Sequence, residues 1–171
     1  MRSIGLLPTF TVCLAAQDSK SAVFPALEAD NLNKQKLQLP GDLAGDLNLL
    51  LIGFQREQQT DIDTWLAPLP GVVIRHPNLA YYELPVIDRT NFMLRWVINT
   101  GMRGGIPDKQ QRARTVTLYL DKKPFRAALQ IESENTIHAL LINKKGEVMW
   151  RAQGRADEGK LESLEAFLRM Q

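Results

Sequence analysis

An α/β fold, with a central mixed β-sheet and helices on both faces, is what this sequence predicts, and three observations carry it. Apolar runs of strand length alternate with helical patterns along the chain. Two of those runs, residues 49–52 and 139–142, are continuous instead of alternating, as in strands buried on both faces. Asn143-Lys144-Lys145-Gly146 is a turn signal between two late strand patterns, which adds antiparallel pairing to the sheet. The 171 residues, 44% hydrophobic and 23% charged, suffice for one domain with a substantial core.

The elements follow in order. Met1 and Arg2 open with a positive charge, residues 4–16 are almost uncharged, and Cys13 and Ala15 are small as at a signal-peptidase site. Residues 1–15 are therefore expected to form an export signal, residues 16–22 a linker and residues 23–171 the folded domain. That organisation places the product in the periplasm or another extracytoplasmic space. The apolar stretch, about 13 residues, is shorter than the roughly 20 that a membrane span takes.

Residues 24–39 predict an N-terminal β-hairpin turned near Leu32-Asn33-Lys34 and followed by the Pro40-Gly41 turn signal. Residues 47–54 predict a buried strand. Thr60 is placed to cap a helix over residues 61–67, with Asp61 and Asp63 in its first turn and Pro68 and Pro70 ending it. Residues 79–84 predict the next strand, and Thr90 caps a helix that ends at Gly101, with Phe92, Met93, Trp96 and Val97 on one face. Residues 101–114 read as a flexible, glycine-rich, basic insertion. A third core strand follows over residues 115–120, a short helix over 124–129, and two strands over 137–142 and 147–152. Asp157 caps a last helix with Leu161, Leu164 and Leu168 at helical spacing.

Composition removes several function classes. With 21 Lys+Arg against 19 Asp+Glu, nothing calls for a polyanionic partner, and nucleic-acid binding is not expected. The single cysteine, Cys13, and two histidines, His76 and His138, exclude an intrachain disulfide and a four-ligand structural zinc site. Cleavage after Ala15 would leave no thiol at all. His76 has no cysteine partner, and His138 falls in a core strand, where a hydrogen-bonded structural role is expected. Asp61 and Asp63 already have helix-start roles, and Glu132 and Glu134 sit among polar loop residues. Residues 102–107 lack the Gly-Lys-Ser/Thr ending of a phosphate loop, and Trp65, Trp96 and Trp150 are expected as core anchors. No cofactor, metal or catalytic residue is predicted.

The order of elements, a hairpin, a buried strand ending in Phe54, a loop and a helix, resembles the start of thioredoxin-like and peroxiredoxin-like proteins. Residues 136–148 resemble their penultimate strand, hairpin and last strand. Within that superfamily, Val148-Met149-Trp150-Arg151-Ala152-Gln153-Gly154-Arg155-Ala156-Asp157-Glu158 and Tyr81-Tyr82-Glu83-Leu84-Pro85-Val86 are similar to the assembly factors of the mitochondrial F-type ATP synthase membrane sector. The resemblance implies a Cys-x-x-Cys pair after the first core strand, where a helix N-terminus stabilises thiolate. This chain has Gln55-Arg56-Glu57-Gln58-Gln59 there, without sulfur, serine or histidine. It also has Thr136 or Ile137 where the superfamily carries a cis-proline. Thiol-disulfide exchange is therefore not expected.

Two function classes follow. One is a non-catalytic, redox-inactive binding or assembly protein, chaperone-like and extracytoplasmic, with a protein partner such as a membrane complex and peripheral membrane contact. The alternative is a cysteine-independent enzyme on a peroxiredoxin-like scaffold. For the first, candidate partner-binding residues are Gln55, Arg56, Glu57 and Gln58 in the strand-end turn, with Arg56 and Glu57 expected to form an exposed ion pair. Arg103, Lys109, Arg112 and Arg114 in the basic insertion complete the set, suited to an acidic partner or a lipid headgroup surface.

Overall fold

The computed structural model describes the backbone of residues 21–89 and 92–171, and the side chains of all these except residues 92–97. The expected export signal, residues 16–20 of the linker, the cap at Thr90 and the face set by Phe92, Met93, Trp96 and Val97 lie outside what it describes.

Seven strands form one sheet. The hairpin β1 (Leu27–Asn31) and β2 (Lys36–Leu39) comes first, followed by β3 (Leu47–Gly53), β4 (Leu79–Asp88), β5 (Val116–Leu120), β6 (His138–Asn143) and β7 (Val148–Gln153). Their spatial order is β2-β1-β5-β4-β3-β6-β7. β3 pairs parallel with β4, which pairs parallel with β5, while the remaining neighbours are antiparallel. Every residue of β3 is buried, as its unbroken apolar run requires of a strand covered on both faces. Edge strand β7 instead alternates half-buried and exposed positions. The hairpin joins the main sheet through Asp30↔Thr117 and Asn31↔Val116.

Alternation along the strands divides the core in two. Leu50, Ile52, Leu84, Val86, Leu118 and Leu140 pack on one face with Phe24 and with Phe125 and Leu129 of α5 (Lys122–Leu129). Leu49, Leu51, Ala139 and Leu141 pack on the other, against Ile62 and Trp65 of α1 (Gln59–Leu66), Leu69 and Val72 of α2 (Leu69–Arg75), and Leu164 and Leu168 of α6 (Glu158–Leu168). Trp65 is fully buried, donates from Nε1 to the Gly154 carbonyl at 2.9 Å, and meets Trp150 edge-on at 6.2 Å. Asp157 caps α6 by accepting from the Lys160 amide. At the β6–β7 turn, Gly146 has φ 83°, and a Cβ there would stand 2.9 Å from the Phe24 carbonyl oxygen, so glycine is required.

Several local expectations need correction. Thr60 is not a cap: a 3-10 turn over Arg56–Gln58 precedes α1, which starts at Gln59, and the Thr60 hydroxyl bonds back to the Glu57 carbonyl. Pro68 and Pro70 end α1 but also start α2, because a first-turn proline lacks only an N–H that the helix leaves unbonded. β4 extends to Asp88, beyond the expected end at residue 84. The largest difference concerns residues 101–114. Helix α3 (Phe92–Gly105) runs through Gly101, and Asp108 caps α4 (Lys109–Arg114) by accepting from the Gln110 and Gln111 amides. The basic segment is therefore mostly helical, held in place by the tertiary contacts described below.

Candidate functional site

Three places could carry function, and each is built differently. The first is the turn after β3. Its centre is Gln58, whose side chain is almost fully buried. Gln58 Oε1 accepts from the Phe54 and Gln55 amides at 2.8 and 3.2 Å, and its Nε2 donates to the Glu134 carbonyl at 2.7 Å. Gln55 Nε2 reaches the same carbonyl at 3.3 Å. These bonds tie the strand-end turn to the loop before β6.

The surrounding groups reinforce the closure. Glu134 binds Arg126 at 3.0 Å and Lys122 at 3.2 Å, and His138 shares a 2.9 Å hydrogen bond with the Ser133 carbonyl. Burial holds the His138 pKa below the usual imidazole range, consistent with the structural role read from its strand position. Among the described residues the only cis peptide is Leu39–Pro40, so none precedes β6. Gln55, Arg56 and Glu57 are exposed, and the expected Arg56–Glu57 ion pair is absent: both side chains point to solvent without a charged partner among the described residues.

The second place is the basic segment, which the structure splits. Arg103 donates from Nε and Nη2 to the Leu32 carbonyl at 2.8 and 2.6 Å. Arg112 bonds Asn33 Oδ1 at 3.2 Å and the Ile106 and Pro107 carbonyls at 2.8 Å each. The Lys109 carbonyl accepts from Asn33 Nδ2, while the Lys109 side chain is exposed. The arginines thus clasp the hairpin turn instead of offering a free cationic surface. Arg114 points elsewhere, with its guanidinium carbon 4.3 Å from the centre of the Tyr81 ring.

The third place was missed by sequence reasoning. A cavity of about 650 Å³ opens over β4 between α1, α2 and α4. Leu66, Pro70, Val73 and Ile74 form its apolar wall, Tyr81 and Glu83 its floor, and Arg114 its opposite side. Glu83 is 3% exposed in the middle of a central strand. Burial pushes its pKa from 4.5 up to about 7; the Gln59 side chain offsets part of that, and the nearby Asp63 carboxylate adds to it. A lone glutamate inside an apolar strand run was the available signal, since such a residue is buried only with a reason.

No protein-family profile and no curated protein matches the chain. Solved structures do match its fold. A candidate electron transfer protein from Aquifex aeolicus has TM-score 0.59 at 10% identity, over 88% of this chain and 99% of its own. A thiol-disulfide oxidoreductase from Bacteroides fragilis has TM-score 0.51 at 17% identity, over 85% and 99%. The exposed lipoprotein thioredoxin of Streptococcus pneumoniae has TM-score 0.51 at 14% identity, over 83% and 98%. No described helix is long and apolar enough to cross a membrane. With its mixed sheet, its helices on both faces and these neighbours, the chain has the thioredoxin-like fold.

Proposed function

We propose that the chain is a non-catalytic, redox-inactive binding protein on a thioredoxin-like scaffold, acting outside the cytoplasm in the assembly of a membrane complex. The observation that carries this reading is the closed turn after β3. Gln58 fills its interior with hydrogen bonds, and Gln55, Arg56 and Glu57 stand exposed on a fixed backbone. A rim held by these bonds, with Arg56 and Glu57 uncommitted, loses little entropy on binding, which suits recognition. The only thiol in the chain, Cys13, lies far outside this turn in sequence. The tail likeness at residues 148–158 supports an assembly partner related to the ATP synthase membrane sector.

The test uses the full chain. A Cys13→Ser variant should neither reduce insulin nor consume peroxide with a dithiol reductant. Affinity capture from native membranes should recover a membrane complex with wild type, and lose it with the double variant Arg56→Glu, Glu57→Arg at unchanged melting temperature. Turnover by Cys13→Ser, or equal capture by wild type and double variant, would overturn the proposal.

A further inference from the structure

We propose that the cavity between α1, α2 and α4 is a binding site for an amphipathic carboxylate of medium chain length, its headgroup on Arg114 and Glu83 and its tail along α1 and α2. The inference stands apart from the strand-end turn and from the choice of protein partner.

Four observations converge. At about 650 Å³ the cavity is the size of ordinary small-molecule sites. One wall is aliphatic, and at its rim Ile74 is 79% exposed, leaving apolar surface that a ligand tail would cover. Arg114 lies over the Tyr81 ring, and its guanidinium forms no hydrogen bond or ion pair with any described residue. A contact with the ring takes up none of the guanidinium N–H donors, which remain available to a carboxylate in a bidentate pair.

The fourth observation is Glu83. It lies two residues beyond Tyr81 on the same face of β4 and bridges in register to Thr115, the neighbour of Arg114. Below about pH 7 the Glu83 carboxyl holds its proton, and it then donates an O–H to an incoming carboxylate oxygen instead of repelling it. Gln59 and Asp63 from α1 act on Glu83, and Asp108, Gln110, Gln111 and Thr115 are the other polar groups lining the cavity with Arg114. Asp108 is committed to the α4 amides, and Asp63 accepts from Gln59 at 3.0 Å.

Protonation makes the ligand class testable. Octanoate binding should be favoured by neutral Glu83, so its dissociation constant should rise about tenfold from pH 6 to pH 8. Octylamine should prefer ionised Glu83 and show the opposite trend if it binds at all. Calorimetric titration of the wild-type full chain with both probes is the primary measurement and needs no variant. The expected result is stoichiometric octanoate binding that weakens with pH and exceeds octylamine binding at pH 6. Arg114→Gln should weaken octanoate at least about tenfold, and Glu83→Gln should retain binding while flattening its pH profile. No octanoate binding at millimolar concentration, or equal or tighter binding of octylamine at pH 6, would overturn the assignment.

Discussion

Gln58 and Glu83 are both polar, both buried, and both close to the parallel pair β3–β4, yet their surroundings differ completely. Gln58 is neutral, and its amide oxygen and nitrogen are matched by two backbone amides and a backbone carbonyl. Glu83 is ionisable, with a Gln59 side chain and an Asp63 carboxylate as neighbours, and a cavity in front of it. A buried amide with every atom satisfied serves as a structural tie. A buried carboxyl without an ion-pair partner holds its proton up to about pH 7 and remains sensitive to whatever enters the cavity. The same fold thus seals the strand end after β3 and opens a pocket elsewhere.

The largest expected effect separates the two residues by pH. Glu83 has a pKa of about 7 folded, against 4.5 as the ordinary value. Below 4.5 both folded and unfolded chains hold the proton, and stability is unaffected. Between 4.5 and 7 the unfolded chain releases it and the folded chain does not, so stability falls as pH rises, then levels off. The loss is about 3 kcal/mol. Urea denaturation from pH 4 to pH 8 should show this fall in wild type and a flatter profile in Glu83→Gln; superimposable profiles would remove the distinction from Gln58.

Gln58→Ala comes next. It leaves the Phe54 and Gln55 amides without their acceptor, which should cost about 2 kcal/mol at any pH. Amide hydrogen exchange should accelerate at Phe54 and Gln55 specifically, and unchanged exchange there would mean that the turn does not depend on this tie. Arg103→Gln should cost about 1 kcal/mol through its bonds to the Leu32 carbonyl, measurable as a lower denaturation midpoint. Arg56→Gln should change stability by less than about 0.5 kcal/mol, since its side chain has no partner to lose. A difference between the two arginines in that order is the check that residues 101–114 are docked and that the Arg56 side chain is free.

Much of the fold was readable from side-chain pattern. The continuous runs at 49–52 and 139–142 pointed to central strands, and β3 and β6 are each flanked by two neighbours. The hairpin at 24–39, the Asn143–Gly146 turn and the Asp157 cap follow from local turn and capping chemistry, which acts within a few residues. The misreadings have two causes. Glycines at 101, 104 and 105 carry a helix penalty of roughly 1 kcal/mol each, and local propensity alone favours a loop. Contacts of Arg103 with Leu32 and of Arg112 with Asn33, 71 and 79 residues away, offset it. Pro68 and Pro70 were read as terminators because a first-turn proline and a helix-ending proline look alike in sequence.

The candidate site was readable only in part. The strand-end position of Gln55–Gln58 follows from the end of β3, since a buried strand must emerge into a polar turn. That Gln58 turns inward while Gln55, Arg56 and Glu57 face solvent depends on the Glu134 carbonyl, supplied 76 residues later.

By itself, then, the sequence determined the layered α/β order, the buried central strands and the absence of a thiol pair, because periodicity, turn residues and composition are local quantities. Tertiary structure alone decided which polar groups are tied and which stand before a cavity. Gln58 and Glu83 differ through partners from α1, α4 and the loop before β6, and electrostatics and hydrogen bonding depend on distance in space, not on separation along the chain.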